Sequence, residues 1–158
     1  MLAASSLLGK IAKVGGATFG ERFMDKEVPT AMQMVQQEPS RYAGVLILAE
    51  LASNSPTYFY PHVPFVLEHL LIPLRDQRLI VREGVASLLA ACLEVLTSKE
   101  KQTHNPYMVQ LLYDAQTGLK EVFPEVIHGS LLAYRELMLH GGMVCQYCFP
   151  CQALCIDA

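Results

Sequence analysis

Three stretches of this chain can be written beneath one another without gaps, and this constrains its fold more than any other feature. They are Arg41 to Leu51 (RYAGVLILAEL), Arg82 to Cys92 (REGVASLLAAC) and Ile127 to Leu137 (IHGSLLAYREL). The third position is always small: Ala43, Gly84, Gly129. The last is Leu51, Cys92 and Leu137, and the first and third copies also share Leu46 with Leu132 and Glu50 with Glu136. The copies start 41 and 45 residues apart. A helical unit of that length cannot bury its apolar face alone, so neighbouring units must stack into a continuous core.

The pattern between the copies is helical throughout. Helices are expected over residues 3–14, 18–37, 40–52, 61 or 64 to 74, 77–99, 106–122 and 124–139, with Pro29 a kink or break in the second. Ser40 and Asp76 stand where N-caps belong. On the helix from residue 77, apolar side chains occupy nearly every face, which marks a helix packed between neighbours. The fold class is therefore all-α, a HEAT- or armadillo-like solenoid of about three and a half hairpins. The array covers 1–143, with hairpins at roughly 3–37, 40–74, 77–122 and 124–141. The small third position is expected where the two helices of one hairpin touch. Asp76 paired with an arginine is expected to cap and bridge adjacent repeats, which makes Arg41, Asp76, Arg82 and His128 structural positions beside Ala43, Gly84 and Gly129.

Composition narrows the function. Apolar residues make up 52% of the chain and charged residues 17%, which excludes a disordered segment. The mean hydropathy is +0.27, yet no run approaches the roughly 18 apolar residues of a membrane span. Twelve basic residues are scattered singly against fifteen acidic ones, so no phosphate-binding stripe exists and nucleic acid is not an expected partner. No signal peptide is read at the start, and the cysteines form no spread-out framework, so a reducing, cytoplasmic setting is expected.

Chemistry-bearing patterns are few. Cys145, Cys148, Cys151 and Cys155 have the spacing of an iron–sulfur run, and three or four such thiols could also hold zinc. Ile156 stands where proline usually follows, and no second cysteine group exists. The segment 144–158 is therefore expected to be an unstructured tail, with a zinc or iron–sulfur protein as the alternative. Cys92 reads as a small core residue, and Ser130 is not in a nucleophile elbow. Glu125 and His128 make one Glu-x-x-His pair without the second copy a bundle metal site needs. Tyr58, Phe59 and Tyr60 read as packing between repeats. No catalytic residue and no cofactor are expected.

Gly9 to Gly16, Arg41 to Leu48 with Glu50 to Ala52, Val81 to Gly84 with Ala91 to Leu93, and Ile127 to Leu132 with Arg135 to Leu137 together resemble the helical-repeat region of TOR (target of rapamycin) kinases. The resemblance runs from about residue 7 to 143 and stops there. It implies the solenoid architecture of a very large serine/threonine kinase without its catalytic segments. No kinase glycine loop, Asp-x-x-x-x-Asn or Asp-Phe-Gly is present. It further implies a scaffold role in growth and nutrient signalling, accessory subunits of the Raptor or Rictor type and neighbouring repeats of the parent chain as partners, and a location in the cytoplasm or at endomembrane surfaces through the parent complex. Both ends of such a piece should expose apolar faces, so the isolated chain is expected to self-associate.

Overall fold

The computed structural model describes residues 2–99 and 106–140. Among them the order is α1 (Leu2–Val14), α2 (Gly16–Gln36), α3 (Arg41–Asn54), α4 (Pro56–Phe59), a 3-10 turn (Tyr60–His62), α5 (Val63–His69), α6 (Leu71–Leu74), α7 (Leu79–Lys99), α8 (Pro106–Gly118) and α9 (Pro124–His140). No strand occurs among the described residues. The chain is an all-α helical-repeat stack, as its internal copies predict.

Two layers form. In one, α1 lies on α3, α3 on α7 and α7 on α9. In the other, α2 packs on α3, α5 and α6 on α7, and α8 on α9. Helices α2 and α3, α3 and α7, and α8 and α9 all pack closely. The glycines give the reason. A Cβ on Gly44 would stand 2.6 Å from the Ala31 carbonyl oxygen and 2.8 Å from the Val35 nitrogen, so α2 and α3 touch backbone there. Gly118 of α8 likewise meets Ser130 of α9. Gly44 and Ser130 are fourth positions of their copies. The third positions face other neighbours: Gly84 meets Tyr42 and Val45 of α3, and Gly129 meets the Leu74 carbonyl of α6. The small third position serves stacking between repeats, not contact within a hairpin.

Local differences from expectation follow from the same chemistry. Pro29 does not break α2, which runs unbroken through it. Its exposed position lets the carbonyl that it deprives of a partner meet water. Prolines at 56, 61, 64 and 73 instead divide the next stretch into short pieces. Helix α7 begins at Leu79, later than expected, because Asp76 ties its turn first. Ser40 holds the N-cap position of α3, but its hydroxyl donates backward to the Met34 carbonyl at 3.0 Å. Helix α8 ends at Gly118, where Ser130 crowds the helix.

The core runs along both layers. Phe59, Leu48, Leu51, Leu88, Leu89, Leu93 and Leu96 are fully buried. Each such side chain contributes about 1.5–3 kcal/mol relative to exposure. Tyr58 covers Gly20 of α2, so the aromatic cluster is packing between repeats. No described helix is long and apolar enough to cross a membrane.

A candidate interaction surface and the polar ladder beneath it

A chain of hydrogen bonds runs along one edge of the stack, where the turns gather. Arg41, the first residue of α3, donates through Nε to the Val35 carbonyl at 2.9 Å and through Nη1 to Asp76 Oδ2. It thereby places a cation at the end of α2, where the helix dipole favours one. Asp76 also accepts from the Arg78 backbone N–H at 2.9 Å and from Arg78 Nε at 3.1 Å. Arg78 reaches across to the Glu38 carbonyl at 2.9 Å. Arg82, at the first turn of α7, donates to the carbonyls of Asp76 at 2.7 Å and Gln77 at 2.9 Å. Its Nε donates to His128 Nδ1 at 3.1 Å, so that nitrogen is the unprotonated one in this arrangement. Arg41, Asp76, Arg82 and His128 therefore join three successive repeats.

The electrostatics favour an ionised Asp76. Burial pushes its carboxyl up, but hydrogen bonds from Arg78 and Arg41 outweigh this and hold it well below the usual carboxylate range. The Arg78 guanidinium is held up in turn, chiefly by its hydrogen bond to Asp76. Such a pair holds register because removing one member leaves the other without its counter-charge. Arg78 is one of the arginines of the mixed-charge patch Arg75, Asp76, Arg78 and Arg82, among which the sequence left the partner of Asp76 open. The Asp-x-Arg step was its signal, since an aspartate commonly accepts from the N–H two residues on.

The stack has a directional register. Tyr42 and Val45 of α3 look toward α7, because both touch Gly84. Glu50 and Asn54 of α3 look back toward α1, where both meet Gly9. Helix α1 falls into the same frame. Ser5, Gly9 and Ala12 are buried and stand at the steps of Val45, Ala49 and Ala52, which makes α1 a fourth copy. Sequence comparison overlooked it because only small residues mark it.

Two recesses open on this surface. Gln77, Arg82, Pro124, Glu125 and His128 line one beside the ladder. Met32, Val35, Gln36, His69, Ile72 and Pro73 line a groove of about 140 Å³ between α2 and α5–α6. Ile72 is 68% exposed there.

Groups able to do chemistry are placed otherwise. Cys92 is fully buried, and burial pushes its thiol up, away from thiolate reactivity. His128 serves Arg82 and Ser130 packs on Gly118. Among the described residues no group of three or more His, Cys, Asp or Glu side chains could hold a metal. Cys145, Cys148, Cys151 and Cys155 lie outside the described residues.

No protein-family model matches the chain. It is 36% identical over 141 residues to the serine/threonine-protein kinase tor1 of Schizosaccharomyces pombe, 36% over 145 residues to the serine/threonine-protein kinase TOR of Arabidopsis thaliana, and 30% over 149 residues to the serine/threonine-protein kinase TOR2 of Saccharomyces cerevisiae. These alignments take in 87–90% of this chain and 6% of each relative's length.

Proposed function

We propose that this chain, which belongs to the TOR serine/threonine kinase family through the segment it shares with those proteins, is a non-catalytic HEAT-type scaffold that presents surface for assembly of a growth- and nutrient-signalling complex. The observation that supports this most is the stack itself. Its polar residues Arg41, Asp76 and Arg82 are spent on joining repeats, and the recesses beside them expose Ile72 and Gln77 next to half-buried His69, Glu125 and His128. A rigid array of this kind offers partners a shaped face, with affinity concentrated in a few anchors. Ile72 in the groove and Glu125 beside the ladder are the anchors we assign.

The partners proposed are accessory subunits of the Raptor or Rictor type, met in the cytoplasm or at endomembrane surfaces. Interferometry between the purified chain and each purified subunit tests this. Saturable binding that Ile72→Asp or Glu125→Lys weakens, with the helical signal unchanged, supports the reading. A folded chain that binds neither subunit contradicts it.

A further inference from the structure

Helices α5 and α8 of the second layer meet along a groove whose two walls both belong to the array. Its floor is apolar. Leu67 of α5 and Leu111 of α8 are each 4% exposed, and half-buried Leu71 of α6 continues it. Its rim is acidic, with exposed Glu68 on one side and half-buried Asp114 on the other. The recess holds about 80 Å³.

Other seams of the stack supply a cation to their acids. Arg41 meets Asp76, His62 lies 3.5 Å from Asp25, and His140 lies 3.4 Å from Glu94 and 3.5 Å from Glu136. At this seam none does: among the described residues no cation pairs with Glu68 or Asp114. Asp114 accepts from Gln110 Nε2 at 3.1 and 3.2 Å, but that amide is neutral and leaves the charge uncompensated. Two carboxylates on one apolar groove repel each other, and low-dielectric walls screen them less than open water does. A cation between them relieves this.

A long basic side chain fits both parts of the groove. Its methylene stem covers the leucines while its charged head stays at the wet rim. Residues 141–158 contain no lysine or arginine, so the tail of this chain cannot supply it. Anionic lipid and nucleic acid would meet charge of their own sign. Resting on the scaffold reading, we propose that this groove docks a partner-protein segment that lies across α5 and α8 and seats one lysine over Leu67 and Leu111, with its ammonium between Glu68 and Asp114. The site is separate from the anchors Ile72 and Glu125.

Methyl NMR of the full chain, labelled at leucine, tests this with a short capped peptide of alanine and serine around a single lysine. The methyls of Leu67, Leu71 and Leu111 should shift saturably. Glu68→Gln and Asp114→Asn should each weaken binding by about two- to fivefold, the scale of one half-exposed ion pair. A peptide with norleucine in place of lysine should leave those methyls unmoved, and Lys101→Ala should leave the affinity unchanged. Silent groove methyls, or an affinity that neither carboxylate variant alters while helical signal is retained, would overturn the proposal. So would tighter binding after Lys101→Ala, which would give the groove to the chain's own lysine. If Asp114→Asn loses helical signal, Glu68→Gln alone decides, because that side chain is exposed. The scaffold reading fails separately, through subunit binding at Ile72 and Glu125.

Discussion

Replacing Gly44 with alanine sets two effects against each other. Alanine inside a helix is favoured over glycine by roughly 0.5–1 kcal/mol. Against that, the new Cβ would lie 2.6 Å from the Ala31 carbonyl oxygen, 2.8 Å from the Val35 nitrogen and 2.9 Å from Val35 Cγ2. Two of those are backbone atoms of α2, which cannot rotate away, so α2 and α3 must separate. Overpacking of this kind costs about 1–3 kcal/mol. The net expectation is destabilisation by about 1–2 kcal/mol. Gly129→Ala should cost more, since its Cβ would stand 1.9 Å from the Leu74 carbonyl oxygen. Gly84→Ala should lie within about 0.5 kcal/mol of the parent, because its closest neighbours are the side chains of Tyr42 and Val45 at 3.3 Å, and helix propensity offsets the squeeze. Urea unfolding followed by far-UV circular dichroism, with the slope unchanged, gives the three values. A Gly84→Ala variant worse than Gly44→Ala would refute the reasoning, because it would return the hairpin contact to the third position of each copy.

Three other expectations are simpler. Asp76→Asn should destabilise by about 1–3 kcal/mol at neutral pH, discounted for the half-exposed Arg78. Because the folded carboxyl sits below its unfolded value of about 4, its contribution is present above that pH and fades as pH falls through the folded value, so the gap between parent and Asp76→Asn should narrow in acid denaturation series. Cys92 should resist a thiol reagent in the folded state and react on unfolding; rapid labelling of native protein at Cys92, read by peptide mass mapping, would contradict its burial. Pro29→Ala should raise the melting temperature, since proline in a helix interior is disfavoured by up to about 3 kcal/mol and α2 is unbroken; an unchanged or lower value would mean that the proline fits its site.

The helices and their stacking were legible because burial on several faces leaves a dense apolar pattern, most plainly in α7. Which small position meets which neighbour was not. Both the third and the fourth positions of the copies are small in two or more cases, and only packing shows which one meets the partner within a pair. Pro29 misled because proline's cost is local, while the apolar face of α2 buries Met24, Val28, Met32 and Val35 on either side of it. The bridge from Arg41 to Asp76 was readable as chemistry, an acid in a turn near an arginine. Its continuation through Arg82 to His128 depended on how far repeats slide past each other, which spacing alone does not encode.

The register of the stack is the central claim, and nuclear Overhauser contacts measure it directly. The account predicts contacts from Gly84 to the Tyr42 ring and Val45 methyls, and from Gly9 to the side chains of Glu50 and Asn54. Contacts from Gly84 to α8 in their place, as a hairpin over residues 77–122 would require, would contradict it.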